Sequence, residues 1–178
     1  MTYEEVINKY YPKDDALRRL LLQHSRQVAD RCLAIAARHP ELNVDTTFLE
    51  EAAMLHDIGI RWCHAPSIYC EGTEHYIRHG LIGGQLMRRE GLDRIARVCE
   101  RHTGTGITRE QIIRQQLPLP IADYVPETLE EQIVCYADKF YSKSRPERIL
   151  TVEQAAQSLE KFGHEGVEKF LQWAKKFE

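Results

Sequence analysis

The sequence lacks any hydrophobic run long enough to cross a membrane. Of its 178 residues 43% are hydrophobic and 29% are charged, and no apolar stretch approaches the roughly 18 residues that a membrane-spanning helix needs. The opening residues, MTYEEVINKYYP, lack the basic and apolar regions of a secretory signal peptide. These absences predict a cytoplasmic protein that does not act at a membrane.

Paired cysteines and a large net charge are also lacking. The five cysteines are scattered without any C-x-x-C pair, which argues against a zinc ribbon and against a disulfide framework. A net charge of −3 and an isoelectric point near 6.3 give no reason to expect a nucleic-acid polymer as partner. A small anionic phosphorylated substrate is compatible with this net charge, because a local cluster of arginines can bind phosphate inside a mildly acidic protein.

Alternating strand patterns are nearly absent, and helical periodicity dominates. Capping-box patterns that open helical stretches begin at Thr2, Thr47, Thr108, Thr128 and Thr151. We predict helices at about residues 3–10, 14–38, 46–57, 73–90, 93–102, 108–115, 128–142, 151–162 and 164–176. The expected fold is an all-α single domain, 1–178, with a motif-bearing core at about 20–142 and a C-terminal helical extension at about 146–178.

Each of five predicted helices carries one histidine or aspartate on its inward face, namely His24, His56, His79, His102 and Asp138. A single inward histidine is usually a hydrogen-bonded core residue. Asp138 is harder to explain in this way, because a buried carboxylate is costly unless it is paired, hydrogen-bonded or bound to metal. One shared metal centre, completed by Asp57 next to His56, would satisfy all of these groups together.

The order of these residues resembles the H…HD…H…H…D signature of the HD-domain superfamily of metal-dependent phosphohydrolases. The stretch MLHDIGIRW contains HDIG, a common form of the second motif, and HGLIGGQLM, ERHTGTG and YADKF resemble the third, fourth and last segments. The resemblance spans about residues 20–142 and implies an HD-fold helical bundle of eight or nine helices. Many relatives carry a lysine after the second motif, where this chain has Ile60, Arg61 and Trp62; either Arg61 supplies that charge or the contact is missing.

By this resemblance, two groups of side chains hold two divalent ions, and Asp57 bridges them. His24, His56, Asp57 and Asp138 would hold one ion, and His79 and His102 the other. Nitrogen and carboxylate ligands suit iron, manganese, cobalt, nickel, zinc or magnesium, with iron or manganese as the expected ions. Two such ions would acidify a bridging water and neutralise charge on a phosphate.

The chemistry expected is cleavage of a phosphoester or phosphoanhydride bond of a nucleotide or small phosphorylated metabolite, with a dinucleoside polyphosphate as one candidate. The predicted catalytic residues are Asp57, Lys139 and Arg61, and Arg78, Arg101 and Arg145 are further candidates for binding phosphate. Two alternatives stay open. One is a mixed-valent di-iron oxygenase that cleaves a C–C or C–P bond, and the other is a non-catalytic ligand-binding or regulatory module.

Overall fold

The computed structural model describes residues 1–178 and is built almost entirely from helices. Nine α-helices follow one another, with one short hairpin between the third and the fourth. The helices are α1 Tyr3–Tyr10, α2 Ala16–Arg38, α3 Thr46–Leu55, α4 His79–Arg89, α5 Asp93–Arg101, α6 Arg109–Gln115, α7 Leu129–Asp138, α8 Val152–Ser158 and α9 His164–Phe177. The hairpin pairs β1, His64–Ala65, with β2, Cys70–Glu71, in antiparallel orientation.

The all-α prediction is confirmed, and four of the five threonines predicted to cap a helix do so. The hydroxyls of Thr2, Thr108, Thr128 and Thr151 each accept a hydrogen bond from the backbone N–H three residues later. The exception is α3, where the carboxylate of Asp45 accepts from the N–H of Phe48 and takes the role predicted for Thr47. A carboxylate suits this position because it also interacts favourably with the positive end of the helix dipole.

Four predicted helices extend too far. The α-helix predicted from residue 73 begins only at His79, after a 3-10 turn over Tyr76–Arg78, where the side chain of His75 accepts from the N–H of Ile77. Helices α3, α7 and α8 stop at Leu55, Asp138 and Ser158, where periodicity predicted 57, 142 and 162. The strand prediction missed the hairpin because each of its strands is two residues long, too short to show alternation.

Helix α2 lies at the centre, packed against α3 and α7, and α4 packs closely against α5. One continuous cluster of 40 buried apolar residues joins these helices with α1, α8 and α9. Where α9 packs against α7, the rings of Tyr136 and Phe170 stack with centroids 4.9 Å apart, which fixes α9 on α7. No helix in the structure is both long enough and apolar enough to span a membrane.

Gly59, the glycine of the HDIG stretch, lies where the chain passes directly against α4. A Cβ atom here would collide with the carbonyl oxygen of His79 and lie 2.6 Å from the backbone nitrogen of Gly83. Its φ of −83° is ordinary for any residue, so the requirement is for space and not for an unusual backbone conformation. The glycine therefore allows the turn after α3 to lie beside the first turn of α4.

We expect Gly59→Ala to destabilise the protein, because the added methyl group meets rigid backbone. The free energy of unfolding should fall by about 1–3 kcal/mol, the usual cost of overpacking, as measured by urea denaturation. Ser67→Ala, at an exposed position of the neighbouring segment, serves as the control and should change stability by less than about 0.5 kcal/mol. Equal stability of Gly59→Ala and the wild type would show that the turn can move away from α4.

Candidate metal centre

The structure brings all six predicted ligands together in the interior. His24 lies in the middle of α2, and Asp138 is the last residue of α7. The other ligands lie at helix ends or directly beyond them, namely His56 and Asp57 after α3, His79 at the start of α4 and His102 after α5. Only Asp138 is noticeably accessible, with 12% of its side chain exposed. The six residues are therefore arranged around a small, nearly dry space.

The first group consists of His24, His56, Asp57 and Asp138, whose ligand atoms all lie within 4.8 Å of one another. The Nε2 atom of His24 lies 2.9 Å from Oδ1 of Asp138 and 3.3 Å from Oδ2 of Asp57. The Nε2 atom of His56 lies 3.3 Å and 3.1 Å from the same two oxygens. Two nitrogens and two carboxylate oxygens thus face a common point.

The second group is formed by His79, His102 and the other oxygen of Asp57. The Oδ1 atom of Asp57 lies 3.4 Å from Nε2 of His79 and 3.2 Å from Nε2 of His102. The two histidine nitrogens are 3.0 Å apart. Asp57 is consequently shared, with Oδ2 facing the first group and Oδ1 facing the second.

Backbone carbonyls set which nitrogen of each histidine faces the centre. The Nδ1 atoms of His56, His79 and His102 lie 2.6, 2.6 and 2.7 Å from the carbonyl oxygen three residues earlier in the chain. A carbonyl only accepts hydrogen bonds, so each Nδ1 carries the proton and donates it. In the neutral ring this leaves the lone pair on Nε2, the tautomer that a metal ligand requires.

Three observations show that this arrangement fits bound cations. The Oδ1 atom of the fully buried Asp57 has no hydrogen-bond partner, and a carboxylate oxygen in that position is costly without a compensating charge. The Nε2 lone pairs of His79 and His102 face each other with nothing between them to donate a proton in the neutral state. A third contribution comes from α3, α5 and α7, which all end at the centre and direct the negative ends of their dipoles towards it.

Burial and charge shift the pKa values of these groups in opposite directions. Burial alone would raise the pKa of Asp57, but the charges of His56 and Lys143 hold it well below its usual range. Burial disfavours a charged His56, yet the carboxylates of Asp57 and Asp138 outweigh this and raise its pKa to about 10. Burial, together with the neighbouring His102, lowers the pKa of His79 to about 3. The two carboxylates of the first group are therefore ionised beside a charged His56, and the histidines of the second group are neutral.

A family model of the HD domain matches residues 21–142, the stretch that holds all six ligands. The chain belongs to the HD-domain family. This is a metal-dependent, hydrolase-type family, and the paired His/Asp groups are compatible with its divalent ions.

Three known proteins are similar to this HD domain in sequence. Two are tRNA (cytidine(56)-2′-O)-methyltransferases, one from Picrophilus torridus, 34% identical over 142 residues and 79% of this chain, and one from Thermoplasma volcanium, 34% identical over 146 residues and 82% of this chain. The chain covers only 36% and 38% of the lengths of these two proteins. An uncharacterized protein of Methanocaldococcus jannaschii is 37% identical over 124 residues, which is 64% of this chain and 66% of that protein. No solved structure matches the chain.

Lys143 is a residue of the centre that sequence reasoning missed. Its ammonium lies 2.8 Å from Oδ2 of Asp57, and only 16% of its side chain is exposed. It also lies 5.8 Å from the centre of the Tyr76 ring, which stacks on His79 with ring centroids 4.5 Å apart. Lys143 lies in the irregular segment after α7, so helical periodicity could not place it; the only signal was its position five residues after Asp138.

Lys139, predicted to be catalytic, is buried and turned towards the ligands. Its Nζ donates to the carbonyl oxygen of His102 at 2.7 Å and to Oδ2 of Asp138 at 2.8 Å. Because each ligand group contributes one of these two residues, Lys139 holds both groups in a fixed relation. The structure thus gives this lysine a positioning contact with the ligands.

Arg61 makes no hydrogen bond or ion pair with any of the six ligands. It is exposed, and its guanidinium donates to the carbonyl oxygen of Tyr10 at the end of α1. The cation that does lie against Asp57 is Lys143. The charge expected from Arg61 is therefore present in the centre but comes from a different part of the chain.

The remaining arginine candidates are held elsewhere or lie at the surface. Arg78 donates to the carbonyl of Pro118 and pairs with Glu74. Arg101 donates to the carbonyl of Val125 and pairs with Glu127, and Arg145 is exposed. None of these three arginines contacts the six ligands.

We expect Asp57→Asn to lose bound metal while keeping the helices. The amide has nearly the same shape as the carboxylate but no charge, so neither group retains a bridging anionic ligand. Metal content after dialysis, measured by plasma mass spectrometry, should fall by at least about tenfold, the lower end of the range seen for disturbed metal sites, with an unchanged helical circular dichroism spectrum. Asp30→Asn, at an exposed position of α2, should bind as much metal as the wild type; equal metal in Asp57→Asn would contradict the bridging role.

Because Lys143 pairs with Asp57, we expect the stability of a Lys143→Met variant to depend on whether metal is bound. Without metal, this substitution leaves a buried carboxylate with less compensating charge, and the free energy of unfolding should fall by about 3–5 kcal/mol. With metal bound, the cations supply that charge and the loss should be at least halved. Urea denaturation in chelator and in excess metal compares the two states, with Lys175→Met as the exposed control. An identical loss in both states would mean that Lys143 contributes packing only.

Proposed function

We propose that this HD domain is a metal-dependent phosphohydrolase that cleaves a phosphoester or phosphoanhydride bond of a nucleotide or another small phosphorylated metabolite. The observation that carries the proposal is the placement of Asp57, whose two oxygens face two separate groups of ligands. Divalent ions in these groups, with iron or manganese as the first candidates, would lower the pKa of a water molecule and offset the negative charge of a phosphoryl group.

The residues of the chain itself supply orientation and one further positive charge. The carbonyls behind His56, His79 and His102 keep each Nε2 aimed at the centre during turnover. Divalent ions bound at Asp57 would weaken the attraction of the Lys143 ammonium, which pairs with Asp57 in this structure. Lys143 would then be available as a point charge for a phosphate oxygen of the substrate.

A small substrate suits the charge of the protein better than a nucleic-acid polymer does. The net charge of −3 provides no broad basic surface of the kind that binds a phosphate backbone.

The two relatives that are named methyltransferases are longer proteins, and this chain covers only 36% and 38% of their lengths. Methyl transfer to a ribose hydroxyl has no requirement for paired His/Asp metal ligands, so the centre supports hydrolysis. Among the possible substrates of such a hydrolase, dinucleoside polyphosphates are a more specific candidate.

A screen of the metal-loaded protein tests this function. Mononucleotides, dinucleoside polyphosphates, sugar phosphates and p-nitrophenyl phosphate are supplied in parallel under air and under nitrogen, and released phosphate and nucleotide are measured. We expect release that is equal in both atmospheres and lost in chelator. Asp57→Asn should lower kcat/KM by at least about 100-fold, or about 2.7 kcal/mol of transition-state stabilisation, whereas Asp30→Asn should match the wild type.

Two results would contradict the proposal in different ways. Turnover that requires oxygen and releases neither phosphate nor nucleotide would identify a di-iron oxygenase. Tight metal and ligand binding without turnover of any compound would identify a binding or regulatory module.

A further inference from the structure

A cavity of about 550 Å³ opens beside the second ligand group. Its wall includes Ile77, two residues before His79, and Thr103, the residue after His102. None of the six ligands lines it, so it adjoins the centre without being the centre. Small-molecule sites usually measure about 300–1,000 Å³, and this volume is sufficient for a group as large as a nucleoside.

Two facing segments form walls with little freedom to move. The first is the loop that follows His102, in which Gly104 and Gly106 have φ values of 59° and 101°, a region open to glycine at low cost. A Cβ on Gly106 would lie 2.9 Å from the Cα of Val125, so the loop rests directly on neighbouring backbone. The second segment is the start of α9, where a Cβ on Gly166 would lie 3.2 Å from the hydroxyl oxygen of Thr105. The cavity is therefore formed before any ligand arrives.

The lining is partly apolar and carries more positive than negative charge. Apolar side chains such as Ile107 and Leu117 are accompanied by the amides of Gln111 and Gln115. Its cations are Lys169 and Arg114, whereas Glu165 is the single acid. An apolar surface with amide groups suits a heterocyclic base, and the excess of positive charge suits an anionic group.

Of the two cations that line the cavity, Lys169 is the less exposed. It is partly buried and forms no salt bridge, and burial lowers the pKa of its ammonium. The thiol of Cys135, the one neighbouring group that raises this pKa, lies 3.5 Å from the carbonyl oxygen of His102 and 3.3 Å from that of Gly104. A partly buried lysine that has no acidic partner is available to bind an anionic group of a ligand.

We propose that this cavity binds the non-reacting part of the substrate and selects nucleotides in which that part carries an anionic group bound by Lys169. The inference rests on the proposed function, because it assigns the scissile phosphoryl group to the His/Asp centre and the remainder to the cavity. It narrows the substrate class to nucleotides with at least two phosphoryl groups. Lys169 is then a specificity-determining residue.

Calorimetric binding of α,β-methylene adenosine diphosphate to the metal-loaded protein tests the cavity without relying on cleavage of the bond between the two phosphorus atoms. Lys169→Met keeps an aliphatic stem and removes the ammonium, whose Nζ lies 5.3 Å from the centre of the Trp173 ring. It should weaken binding by about tenfold, or about 1.4 kcal/mol. Lys169→Arg keeps the charge and should stay within about threefold of the wild type. Lys175→Met, on the exposed face of the same helix, should have no effect.

The binding and turnover results separate the two proposals. Absence of binding, or an equal dissociation constant for the wild type and Lys169→Met, would overturn the role of the cavity even if the protein hydrolyses phosphate esters. Binding that depends on Lys169 in a protein that hydrolyses nothing would support the cavity and contradict the hydrolase. Weakened binding of adenosine, which carries no charge, in Lys169→Met would show that the substitution distorts the pocket, and would also overturn the role of the charge.

Discussion

The fully buried carboxylate of Asp57 is the constraint on which the rest of the centre depends. Such a group is stable only if positive charge surrounds it, and the chain supplies that charge from His56 and Lys143. A histidine suits a centre that takes up cations, because it can lose its proton and bind an ion through the freed nitrogen. These positive groups therefore supply part of the charge that bound ions would supply.

The helical architecture serves this carboxylate by ending helices around it. An adjacent His–Asp pair within a regular helix would point about 100° apart, and only one of the two could reach the centre. Because α3 stops at Leu55, His56 and Asp57 lie in the turn beyond it, where their ligand atoms approach to 3.1 Å. Gly59 then allows this turn to lie against α4, which brings in His79.

Sequence patterns predicted the helical fold and the six residues that come together in the interior, but not every residue that contacts them. Inward position within helices, together with the resemblance, predicted all six residues that the structure brings together. Lys143 could not be predicted, because it lies in an irregular segment and reaches Asp57 across 86 positions of the chain. Arg61 was an expectation based on adjacency to the second motif, and the carbonyl at the end of α1 binds its guanidinium instead. Periodicity identifies which face of a helix is buried, whereas these contacts depend on where irregular segments fold.

In the proposed arrangement, the centre binds the reacting phosphoryl group of the substrate and the cavity beside it binds the non-reacting part. The loop after His102 belongs to both, since it follows a ligand directly and forms one wall of the cavity. Anomalous diffraction from crystals of the metal-loaded protein shows whether Asp57 bridges two ions. A bridging carboxylate predicts two peaks, one near His24, His56 and Asp138 and one near His79 and His102, each about 2.0–2.2 Å from an oxygen of Asp57. A single peak, or peaks that do not contact Asp57, would show that Asp57 does not bridge two ions.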